Sequence, residues 1–115
     1  MDYLIDLHKI EKALSILDNT SYDTIEEANS CLVQYDKLKD EIILIIRQVL
    51  DDSKIPDLIK DSVYNRAIQL LTNHIGSVDD ILKYGSLVEA FYDEGKITKK
   101  QLILFHEKLD IGRWR

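Results

Sequence analysis

The stretch Thr24–Leu50, TIEEANSCLVQYDKLKDEIILIIRQVL, decides the fold class. It opens on Thr24-Ile25-Glu26-Glu27, a Thr-x-x-Glu box whose two polar side chains satisfy backbone donors left unpaired at a helix start. From there Ile25, Ala28, Leu32, Tyr35, Leu38, Ile42, Ile45 and Val49 recur at steps of three and four, which stacks them on one face of a long helix. From Ile42 to Ile46 the helix is apolar on most sides, so this half is expected to be central and covered by several neighbours.

The flanking segments follow the same period. Upstream, Tyr3, Leu7, Ile10, Leu14 and Leu17 form one face of a first helix, closed by the polar turn Asp18-Asn19-Thr20-Ser21. Downstream, Asp51-Asp52-Ser53-Lys54 breaks the pattern, and Pro56 suits the first turn of a third helix. The inner face of that helix is expected to be Ile59, Val63, Ala67, Leu70 and Leu71. Gly76 is placed to stop it and Ser77 to cap the fourth helix. Gly85, followed by the capping-box pattern of Ser86 and Glu89, predicts a break or kink inside that fourth helix. Gly95 ends it, and Thr98-Lys99-Lys100-Gln101 opens a last helix that buries Leu102, Phe105 and Leu109. The tail Ile111-Gly112-Arg113-Trp114-Arg115 has no periodicity of its own. Nothing reads as a strand, a repeat or a linker. The expected architecture is all-α, a single-domain antiparallel four- to five-helix bundle over residues 1–115.

Composition narrows the function classes. Of 115 residues 45% are hydrophobic and 31% charged, enough apolar side chain for one packed core. The one cysteine, Cys31, has no intrachain partner, so no disulfide framework is available; beside Leu32 it reads as a small buried side chain. The longest strongly apolar cluster, Ile42–Ile46, is far too short to cross a membrane. The start MDYLIDLHKIEK carries acids where a signal peptide would carry basic residues, and a cytoplasmic setting is expected.

The charge is unevenly spread. Residues 1–95 hold 9 Lys and Arg against 19 Asp and Glu, a net of −10, whereas residues 96–115 hold 6 against 2, a net of +4. An acidic body argues against nucleic acid as a partner, because phosphate binding needs clustered cations, and favours a basic protein.

Conventional chemistry finds no purchase. His8, His74 and His106 stand far apart and Cys31 is alone, so no zinc spacing exists. The acidic doublets project about 100° apart on a helix and do not converge as an acid and base would. The segment around Gly95-Lys96-Ile97-Thr98 imitates the second half of a calcium loop, yet Ala90 and Tyr92 occupy ligand positions and Gln101 replaces the bidentate glutamate. No catalytic residue, cofactor or metal is expected.

The most specific binding face is on the third helix, where Asp57, Asp61 and Tyr64 follow at spacings of 4 and 3, extended by Asp51 and Asp52 just upstream. Acidic and tyrosine side chains together supply steering and anchoring against a basic partner. Trp114, between Arg113 and Arg115, is the second candidate, as a lid on the bundle or a partner-binding tail.

Two stretches carry family resemblances. Leu87–Phe105, with an aromatic at Phe91, a tight glycine turn and Ile97-Thr98 opening the next helix, resembles a hairpin of the small helical immunity proteins that neutralise tRNA-cleaving colicins. In that family an acidic surface occupies the toxin's basic nuclease site, so the resemblance implies a non-enzymatic bacterial protein acting by acidic occlusion. Asn65–Ile75 looks like the second core helix of the HEPN toxin ribonucleases. Their signature sets an arginine and a histidine closer than Arg66 and His74, which have seven residues between them, and Arg113 has no histidine after it. That departure counts against nuclease activity, leaving as the alternative a HEPN-like helical domain, either a degenerate nuclease or a partner in a toxin–antitoxin pair. A third reading is a structural homodimer through apolar surface left on the second helix.

Overall fold

A computed structural model describes residues 3–75 and 78–113, with side chains described as far as Lys108. Gly76, Ser77 and Trp114 lie outside the described residues, as does the side chain of Leu109. The fold is all-α, with five helices among the described residues: α1 (Tyr3–Asp18), α2 (Ile25–Asp51), α3 (Asp57–Asn73), α4 (Val78–Asp93) and α5 (Lys99–Arg113). No strand occurs among the described residues, and no helix there is long and apolar enough to cross a membrane. Contacts group into two compact units, residues 1–70 and 71–115.

In the first unit α1 and α2 lie side by side. One groove brings Ala13 near Glu41 and a second brings Thr20 near Glu27, so the two helices run antiparallel. Asn19 Nδ2 donates to the Ser15 carbonyl at 2.9 Å and Thr20 Oγ1 to the Ile16 carbonyl at 2.6 Å, which occupies carbonyls the end of α1 would leave bare. Thr24 then caps α2 from an extended backbone (φ −128°, ψ 157°), its hydroxyl accepting from Glu27 N at 3.1 Å. The Glu27 carboxylate reaches back to Asp23 N at 3.0 Å, one residue upstream of the usual box. The Tyr35 hydroxyl donates to Asp18 and ties the end of α1 to the middle of α2.

The core of this unit draws Leu7, Ile10 and Leu14 from α1 and Ile42, Ile45, Ile46 and Val49 from α2. The expected α2 stripe holds in its second half. Its first half does not: Ile25 and Leu32 are exposed, and Cys31 takes the inward position beside them. On α3 burial begins only at Val63, so Ile59 is exposed and does not lead an inner face. Arg66 on α3 donates from Nη2 to Glu11 Oε2 on α1 at 2.5 Å.

In the second unit α4 packs on α5. Leu71, Tyr84, Val88, Phe91, Ile97 and Phe105 are its buried side chains among the described residues, with Leu102 half-buried. The turn between the helices is a Schellman motif: Lys96 N donates to the Phe91 carbonyl at 2.9 Å and Gly95 N to that of Tyr92 at 3.0 Å. Thr98 and Gln101 complete a reciprocal box at 2.8 and 3.2 Å, as the sequence predicts. The expected break at Gly85 is absent, since α4 runs unbroken through it. A glycine costs a helix interior only about 1 kcal/mol, which continuing backbone bonds on either side outweigh. α5 also continues to Arg113, into residues expected to lack regular structure.

The two glycines make opposite predictions. Gly85 is helical with nothing within 4 Å of an added Cβ, so Gly85→Ala is expected to stabilise the chain by about 0.5–1 kcal/mol. Gly95 has φ +75°, so Gly95→Ala is expected to destabilise by roughly 1–2 kcal/mol despite equal space. Thermal unfolding followed by circular dichroism checks both signs.

Candidate binding surface

The junction of α2 and α3 gathers the acidic residues singled out in the sequence. Asp51 ends α2 and Asp52 is its C-cap, with φ −85° and ψ 103° turning the chain out of the helix. The Asp52 carboxylate accepts from Lys54 N at 2.9 Å, and its carbonyl from Ile55 N at 3.3 Å, which folds the connection into a tight turn. The Pro56 carbonyl accepts from Ile59 N and Lys60 N, both at 3.0 Å, placing proline just before the first helical residue.

Asp57 follows in the first turn of α3, where the positive end of the helix favours an anion, and Asp61 lies one turn on. Asp51, Asp57 and Asp61 are exposed and Asp52 is half-buried, so the corner between α2 and α3 carries four carboxylates within a short stretch of chain. Asp51 occupies the negative end of α2, where a cation is favoured and the last turn carries none. An acid at that end comes at a small cost to the helix.

Tyr64 does not join this face. It is 2% exposed and belongs to the core, so the anchoring role expected for it is corrected. The apolar surface residues at the corner are Leu58, 79% exposed, and Ile59. Large apolar side chains standing among surface carboxylates are a composition that suits a protein interface. Neither was read from the sequence as surface, because helical spacing alone assigned Ile59 inward and gave Leu58 no neighbours.

The Tyr64 hydroxyl is buried and has no hydrogen-bond partner, and burial pushes its ionisation above the ordinary tyrosine value. The Tyr35 hydroxyl is raised too, by burial first and then by its bond to Asp18 and that carboxylate's charge. Among the described residues no group of three or more His, Cys, Asp or Glu converges to hold a metal ion. Arg66, the arginine of the HEPN resemblance, is engaged by Glu11.

The charge follows the division of the chain. Residues 1–70 hold 8 Lys and Arg against 14 Asp and Glu, a net of −6, whereas residues 71–115 hold 7 against 7. Within the second unit the basic end is matched by acids on its own hairpin: Lys96 pairs with Glu94 at 3.0 Å, and His106 stands 3.8 Å from Glu89. The whole net charge of the protein therefore resides in the unit that carries the acidic corner. No protein-family model matches the sequence, and no curated protein and no solved structure is significantly similar to it.

Proposed function

We propose that this chain is a non-enzymatic protein-binding module of the bacterial immunity or antitoxin kind, acting in the cytoplasm by covering a basic surface on its target. The observation that carries the reading is the acidic corner, where Asp51 and Asp52 at the end of α2 and Asp57 and Asp61 in the first turns of α3 accompany the exposed Leu58. Carboxylates of one sign steer a cationic partner and select against anionic ones, while an exposed apolar side chain next to Asp57 supplies area that can be desolvated. Residence of the entire net charge in residues 1–70 supports the same reading.

The test is capture of partner from a lysate of the source cells by the tagged chain and by a variant with all four aspartates changed to asparagine. The wild type is expected to retain a basic protein at about 50 mM salt and to lose most of it at about 300 mM, because exposed charges are screened. The asparagine variant is expected to retain roughly a tenth or less, since the loss of several charge-assisted contacts exceeds 1.4 kcal/mol. Equal retention by the variant overturns the proposal. Cleavage of RNA by the purified chain, abolished in Arg66→Ala, also overturns it.

A further inference from the structure

The first turns of α4 carry apolar surface that the second unit leaves open. Val78 is 70% and Leu82 63% exposed, more than any other large apolar side chain described in residues 71–115. Val78 lies eleven and Leu82 seven residues before Glu89, so at about 100° per residue both fall within about 20° of it on the helix circumference. That is the flank of α4 turned towards α5, because Glu89 Oε1 stands 3.8 Å from His106 Nε2.

The same pair sets the level of the two helices, which are consecutive, joined by the tight turn at Gly95 and antiparallel. Leu82 is seven residues before Glu89 and Arg113 seven after His106, so both stand two turns, about 10 Å, from the pair in the same direction. Arg113 closes α5, Trp114 follows it directly, and Val78 is one turn beyond Leu82. Arg113-Trp114-Arg115 therefore begins beside the open apolar surface. The chemistry fits as well as the position. Trp114 is the one tryptophan of the chain and has a cation on either side, and Asp79, next to Val78, is an exposed acid in the first turn of α4.

We propose that the occupant of this surface is the chain's own Trp114, with its flanking arginines turned to Asp79. An indole laid over Val78 and Leu82 takes apolar area out of water, while the arginines keep their charged heads wet and beside a carboxylate. The contact assigns Trp114 to closing the α4–α5 hairpin and not to gripping a target. It involves none of Asp51, Asp52, Asp57 and Asp61 and does not depend on their role.

A single tryptophan makes the contact directly readable in the full chain by fluorescence. Its emission is expected to lie to the blue of that of the guanidinium-unfolded chain, and acrylamide is expected to quench it at least about threefold less. Val78→Lys and Leu82→Lys alter exposed positions, so each is expected to keep its far-UV circular dichroism while quenching returns at least roughly half of the way to the unfolded level. Leu58→Lys, at an exposed leucine of the first unit, is expected to leave quenching unchanged. Asp79→Lys is expected to raise quenching at about 50 mM salt and to do so less at about 500 mM. A tryptophan as open to acrylamide as in the unfolded chain would overturn the proposal. Protection that survives both Val78→Lys and Leu82→Lys would do the same by seating the indole elsewhere. Protection lost on dilution from about 100 to about 1 μM would overturn it too, by making the occupant a second copy.

Discussion

Ile46→Ala is expected to destabilise the protein by about 3 kcal/mol, whereas Leu44→Ala, two residues earlier in the same apolar run, is expected to cost less than about 0.5 kcal/mol. Ile46 is fully buried and Leu44 more than half exposed, although both sit in the continuous run Ile42–Ile46. Truncating the buried isoleucine loses its transfer free energy and leaves a cavity that the surrounding helices fill only in part. Truncating the exposed leucine removes surface that water already covers, and alanine's helix propensity offsets what remains. Urea unfolding at equilibrium reads both, and the midpoint for Ile46→Ala should fall by roughly 2 M if the slope is about 1.5 kcal/mol per molar. Equal costs at the two positions would mean that α2 is rotated about its axis from the arrangement described.

Tyr64→Phe is expected to stabilise the protein by about 1 kcal/mol at neutral pH, because a buried hydroxyl without a partner keeps its desolvation penalty and gains nothing in return. The difference should grow with alkalinity. Burial raises the ionisation of Tyr64 in the folded chain above its ordinary value of 10.0, so the neutral hydroxyl is retained there after the unfolded chain has begun to lose its proton. A group with a raised folded value contributes its full stability below the unfolded value and loses it as pH climbs. The wild type should therefore fall behind Tyr64→Phe by a further ~1.4 kcal/mol per pH unit above about pH 10. Taking the difference between the two proteins cancels the lysines and other tyrosines that titrate in the same range. Parallel stability curves from pH 8 to about pH 11.5 would show that the hydroxyl reaches water or a partner.

Period and caps made most of the helices legible. Leu7, Ile10 and Leu14, and likewise Ile42, Ile45 and Val49, were readable as inward because their neighbours bury the same angular face over several turns. Thr24 and Thr98 were readable because a capping box is a local device that needs no tertiary information. What failed were positions where burial changes along the helix axis. Asp57, Asp61 and Tyr64 share one side of α3 by angle, but the first turn and a half stands in solvent and the next does not. A helical wheel carries the angle and discards the axial coordinate, so it placed Tyr64 with the acids and Ile59 with the core. Gly85 misled for another reason: Ser86 and Glu89 have the form of a cap, yet a helix already propagating keeps its own bonds. The acidic corner was legible as composition. The exposed Leu58 beside Asp57 was not, since exposure is a property of the assembled chain.

The packing of α1 on α2 and of α4 on α5 joins helices that are consecutive in the chain. Each pairing closes only a short loop, so little chain entropy is lost before the first contacts form. Proteins dominated by such local contacts reach the native state in microseconds to milliseconds. Two hairpins with built-in stop and start signals are nuclei of this kind, and each can form without waiting for distant segments to meet. A chain organised in this way spends little time with its apolar run Ile42–Ile46 uncovered during synthesis, which limits the interval in which that run could associate with other unfolded chains.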